Sequence, residues 1–207
     1  MADLKSESNK TVGIILACLL IPIAEFQGWE ISKLDVTSIA SDLCVIAILT
    51  AFSLIVTNLV DREIKFKLAF FSSKKPAYHC KKYSAKDSRL DSSRLIERWP
   101  EVFSDNSDKS KTEEIWYTQI YLPVRDSVVV RSANKQFLIA RDCYIGWIFI
   151  SITIAGLDLY HVYDFSDYAL QFCLAFTILL NLFCRATGKN LVLNSICESL
   201  NNRTVTA

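Results

Sequence analysis

Glycine, proline, methionine and histidine are all scarce in this chain, with five, four, one and two residues among 207. So few glycines leave no phosphate-cradling loop, and no Walker, metalloprotease or nucleophile-elbow pattern occurs. The two histidines, His79 and His161, lie in different segments, and no Ser/Lys, Ser/His or paired-Asp constellation sits inside the apolar stretches. An enzyme reading therefore lacks its parts, and no cofactor is implied. His79-Cys80 has no second His or Cys at ligand spacing in its own segment, so no metal site is expected.

Charge is sparse in four stretches, about Thr11 to Gln27, Ile39 to Val60, Cys143 to Leu159 and Tyr168 to Arg185, each of which holds a single charged residue close to one end. A bilayer core of about 30 Å needs about 20 helical residues, with about 17 to 25 tolerated. Lipid offers the backbone no hydrogen-bond partner, so such spans are helices. The expected fold is an all-α membrane protein, four transmembrane helices with a small helical domain inserted between the second and third. Its parts are 1–60, a tail and first hairpin; 61–140, the inserted domain; 141–187, the second hairpin; and 188–207, a C-terminal tail. The segment before Cys18 is too short for a usual signal core and reads as a retained anchor.

Of the 23 Lys and Arg residues, 17 fall between Val60 and Asp142 and only Lys33 falls in a short connecting loop. The positive-inside bias then puts both termini and the inserted domain in the cytoplasm, with the two hairpin loops facing outward. Seven cysteines on the reducing side or within spans are expected as free thiols.

Between Arg62 and Arg98, 11 basic residues face four acidic ones, a net of +7, whereas Glu101 to Glu114 holds five acids against two lysines. Lys74, Lys75, Lys81, Lys82, Arg89 and Arg94 are the candidate contacts for anionic headgroups or for a soluble protein partner. Aromatic and basic residues build no recognisable nucleic-acid module, so direct binding of nucleic acid is not expected. Arg62 to Phe71 does not separate helix from extended chain by period. Asp91 or Ser92 caps a short helix with Leu95, Ile96 and Trp99 as its apolar stripe and Pro100 as its end. Another helix begins at Thr112, with Trp116 and Ile120 inward. A long helix is expected from about Ser127 to Asp158.

On the other side gather Glu25, Glu30, Asp35, Asp42, Asp158, Asp164 and Asp167, and Glu25, Asp42 and Asp158 are the candidate outer pore mouth. Ordinary solvation of short loops explains the same residues. Asn58, Gln171 and Asn181 are expected to hydrogen-bond between helices, with Thr50, Ser53, Ser151 and Thr153 at close contacts, and Pro22 to kink the first span. A four-helix unit has too little internal volume for a wide path, so a homo-oligomer is expected.

Lys75-Pro-Ala-Tyr-His-Cys-Lys-Lys-Tyr-Ser, Asp87-x-Arg-Leu-Asp91, Trp116-Tyr117 and Phe137-Leu-Ile-Ala-Arg141-Asp142 resemble a pattern in small multi-span bacterial proteins. The layout of four spans with a cytoplasmic insert also resembles membrane effectors of anti-phage defence, including those of cyclic-nucleotide systems and the membrane subunit of Kiwa. That resemblance implies sensing through residues 61–140 and a change in membrane integrity or ion flow. A non-conducting anchor for a soluble partner and a constitutive small channel or transporter are the alternatives.

Overall fold

A computed structural model describes residues 2–26, 36–71, 75–104 and 111–202, which contain helices and turns and no strand. In chain order the helices are α1 (Ala2–Phe26), α2 (Val36–Leu59), α3 (Arg62–Phe70), α4 (Cys80–Ser84), α5 (Ser92–Arg98), α6 (Pro100–Phe103), α7 (Thr112–Ile115), α8 (Val128–Leu159) and α9 (Asp167–Asn202). The chain forms two compact units, residues 1–65 with 138–183 and residues 66–137 with 184–207. Helices α8 and α9 each supply residues to both.

Three helices are long and apolar enough to cross a membrane: Ser8–Phe26, Val128–Leu159 and Asp167–Asn201. The described apolar stretch of α2 is shorter, Ile46–Leu59. In the first unit Val12, Leu16, Leu20 and Ile23 of α1 pack with Trp147, Ile150 and Ile154 of α8 and with Ala169 and Cys173 of α9. Trp147 is fully buried, and its indole Nε1 donates to the Cys173 carbonyl at 3.2 Å. That bond satisfies the ring's single polar atom, the requirement for burying Trp.

Gly146 of α8 stands at a tight helix contact. Ser53 of α2 donates through Oγ to the Gly146 carbonyl at 3.0 Å. A β-carbon at Gly146 would lie 2.7 Å from Ser53 Oγ and 2.8 Å from Leu16 Cδ1. Asn58, expected between helices, is exposed and donates to the Leu54 carbonyl of its own helix at 2.9 Å. It sits one residue from the end of α2, so its amide serves the helix terminus.

In the second unit the core joins Leu95, Trp99, Val102 and Phe103 to Ile115, Trp116, Ile120, Val192 and Ile196. Each fully buried Ile or Leu here contributes about 1.5–3 kcal/mol. Helix α5 starts at the Asp91 cap, whose Oδ1 accepts from Ser93 N at 2.9 Å and Ser93 Oγ at 2.6 Å. Leu95 and Trp99 turn inward, but Ile96 is 45% exposed, because it lies about 100° around the helix from Leu95. Pro100 closes α5 and also opens α6 as its first residue; Pro fits a first turn, where its missing N–H is not needed.

Trp116–Tyr121 forms a π-helical turn after α7, and it stacks the Trp116 and Tyr121 rings at 5.3 Å and 20°. Ser127 Oγ accepts from Val130 N at 3.3 Å and starts α8, the long helix expected from this position. The stretch 188–207, expected as a tail, is helical to Asn202. Leu191, Val192, Leu193 and Ile196 are buried, and this apolar stripe keeps α9 ordered beyond its span.

The two glycine environments give a direct prediction. Gly146→Ala forces overpacking and is expected to destabilise by about 1–3 kcal/mol. Gly156, with nothing within 4 Å of an added β-carbon, should accept Ala with unchanged or raised stability, since Ala is the better helix former. Thermal unfolding of both variants in the same detergent checks this.

Candidate functional site

The most unusual chemistry in the first unit is a buried cluster of three charged residues. Lys65 Nζ stands 3.3 Å from Asp142 Oδ1, and Arg141 approaches the same oxygen through Nη2 at 2.9 Å. Lys65, Arg141 and Asp142 are 7%, 7% and 8% exposed. Lys65 comes from the first turn of α3, while Arg141 and Asp142 stand in α8 just before its apolar run. An exposed ion pair is worth about 0–1 kcal/mol. A buried one is different in kind, because removing one partner strands the other's charge at about 3–5 kcal/mol.

The residue pattern alone had grouped Lys65 with the headgroup-facing basic run and had treated Asp142 as a boundary marker. An Arg-Asp pair abutting an apolar run was the available signal, since charges there need a partner within the protein. We expect Asp142→Asn to destabilise by about 3–5 kcal/mol and Lys65→Met by under about 1.5 kcal/mol, because only the first leaves buried cations facing an amide. Denaturation of the full chain in detergent separates the two.

The candidate contacts of the second unit have mixed fates. Lys74 lies outside the described residues. Lys75 is drawn to the acidic segment, its N donating to Glu113 Oε1 at 2.6 Å and its Nζ 3.9 Å from Oε2. Lys81 Nζ donates to the Ser104 carbonyl at 2.8 Å. Arg89 grips Asp87 with Nε to Oδ1 at 3.0 Å and Nη2 to Oδ2 at 2.7 Å, and its Nη1 reaches Asn194 Oδ1 at 3.3 Å. Lys82 and Arg94 are exposed to solvent. Three of the six thus tie the fold together, and the field available to a ligand is smaller than the count of charges implies.

The Asp87–Arg89 pair also carries a pH dependence. Hydrogen bonds from the Arg89 side chain and then from its backbone N–H lower the Asp87 carboxyl from 3.8 to about 2. A lowered carboxyl contributes stability above its ordinary value and loses it as pH falls through the folded one. The tie between the 87–89 turn and Asn194 should therefore weaken between pH 3.8 and about 2. Asp87→Asn is expected to remove this component, which unfolding midpoints measured across the window will show. Burial pushes the Cys80 thiol up to about 12, so it is inert as a nucleophile.

Of the outer-mouth residues, Glu25 is exposed at the end of α1 and the side chain of Asp42 lies outside the described residues. Asp158 Oδ1 accepts from Phe165 N at 2.8 Å and so shapes the α8–α9 hairpin. Tyr160, Val162 and Tyr168 are 79%, 69% and 71% exposed there, the composition of an aromatic interfacial belt. All seven cysteines are free thiols, and no cluster of three metal-ligating side chains occurs among the described residues.

Three helices of this length and apolar composition define the class: an α-helical, multi-pass membrane protein. No protein-family model, curated protein or solved structure matches the chain.

Proposed function

We propose that this is a membrane component of a bacterial defence system that crosses the inner membrane four times with both termini in the cytoplasm. It receives a signal through residues 61–140 and alters membrane integrity or ion flow as a homo-oligomer. The observation that supports this reading most is the sharing of α8 and α9 between an apolar unit and a polar one. A signal received on the polar segment of such a helix acts directly on its apolar segment, without an intervening loop.

An anchoring role without conductance is the second reading. It is favoured by Val128 and Val129, 85% and 50% exposed at the start of α8, an apolar pair suited to a soluble protein partner.

Expression of the full chain with its neighbouring gene products, followed by phage challenge, separates the two. We expect loss of membrane potential and entry of a normally excluded dye after challenge, and neither before it. Intact potential after challenge, with the partner still co-purifying, sinks the permeability reading and leaves the anchor.

A further inference from the structure

We propose that Phe71 and Arg185 form a clasp for an anionic phospholipid where α9 leaves its apolar stretch. Phe71 directly follows the last residue of α3 and has a φ of 50°. That is the left-handed conformation in which helices commonly end, and glycine is its usual occupant. A bulky aromatic there is an outlier. Its ring is also 74% exposed, so burial does not explain its choice over glycine. Both the backbone strain and the solvent-facing ring are accounted for if the ring meets lipid.

Arg185 is the second half of the clasp. Its Nε donates to the Ala69 carbonyl at 3.3 Å, serving one of the carbonyls that the end of α3 leaves without a helical donor. Its guanidinium carbon sits 5.1 Å from the centre of the Phe71 ring, within cation–π range. None of the ion pairs among the described residues includes Arg185. A half-buried guanidinium in hydrogen-bond and ring contact, with no carboxylate, keeps donors for a phosphate.

Position selects the ligand. Leu182 and Phe183, just before Arg185 on α9, are 59% and 53% exposed, whereas Lys189 and Asn190 follow it. Arg185 therefore stands where the helix surface changes from lipid-facing to polar, the level of headgroup phosphates. Lys67 is also exposed on α3, four residues before Phe71 in sequence. A cation held against one apolar ring matches a phosphate joined to acyl chains. A free phosphate has no use for the ring.

The test uses the full chain in nanodiscs of equal phosphatidylglycerol and phosphatidylcholine, with retained lipid counted by native mass spectrometry. Wild type should retain phosphatidylglycerol in preference. Arg185→Gln should lower that retention about tenfold, the loss of one charge-assisted contact. Phe71→Gly is the decisive variant: it should unfold at a higher temperature in lipid-free detergent, since glycine relieves the left-handed strain. It should nevertheless retain about fivefold less phosphatidylglycerol, for want of the ring's apolar contact. Added glycerol phosphate should not displace the lipid. Equal retention of the two lipids, wild-type retention by Phe71→Gly, or displacement by glycerol phosphate would each overturn the assignment, the last in favour of a soluble phosphate ligand.

Discussion

Seven consecutive residues of α8, Arg141 to Trp147, are buried, and most of the first unit follows from that constraint. A helix enclosed through about two turns shows every side to a neighbour, so each residue needs a partner of suitable size and polarity. Gly146 is small enough for Ser53 and Leu16 to close on it. Trp147, the next residue round the helix, is buried against α1 and α9 and donates its N–H to the Cys173 carbonyl. At the polar end Asp142 is enclosed together with Lys65 and Arg141. Replacing any one of these by an average residue leaves a clash, a void or an unpaired charge, which are the costly errors in a packed interior.

Three of the four expected spans were legible, because length and apolar composition are properties of a segment, independent of its neighbours; the described apolar stretch of α2 is shorter, Ile46–Leu59. The long helix from near Ser127 could be read for a related reason: no glycine or proline lies between 128 and 145, where the helix runs into its apolar stretch, and Ser127 offers a cap. The cap of α5 could be narrowed to Asp91 or Ser92, because a cap is a local interaction, and the structure assigns it to Asp91. The end of α9 was not legible. Its polar residues beyond Arg185 resemble a tail, and only the core of the second unit gives Leu193 and Ile196 a place to be buried.

Charges were the least legible of all. A run of basic residues reads as one electrostatic surface, yet Lys75, Lys81 and Arg89 are each turned to a partner distant in sequence or set by turn geometry. Asp158, a candidate for an outer pore mouth, accepts from a backbone amide seven residues on, a tie its charge alone does not announce. A long side chain chooses its partner by reach, and reach is a tertiary property. Composition gives the sign of a field, but the fold decides how much of that field is left exposed.

Hydroxyls in the first unit show the same choice made for volume. Thr153 and Thr177 donate to the carbonyls of Phe149 and Cys173 at 2.9 and 2.7 Å, the usual outlet for such groups in an apolar helix. Thr50 and Thr57 leave their Oγ1 atoms without a partner while buried to 9% and 3% exposure. With Ser53 they stand at positions i, i+3 and i+7 of α2, a single face, and Thr57 Oγ1 is 3.4 Å from where Gly146 would carry a β-carbon. An unmade hydrogen bond costs about 1–3 kcal/mol, so these residues are not there for their polarity. They are narrower than Leu or Ile, and a narrow face is what lets α2 approach Gly146 closely enough for the Ser53 hydrogen bond to form.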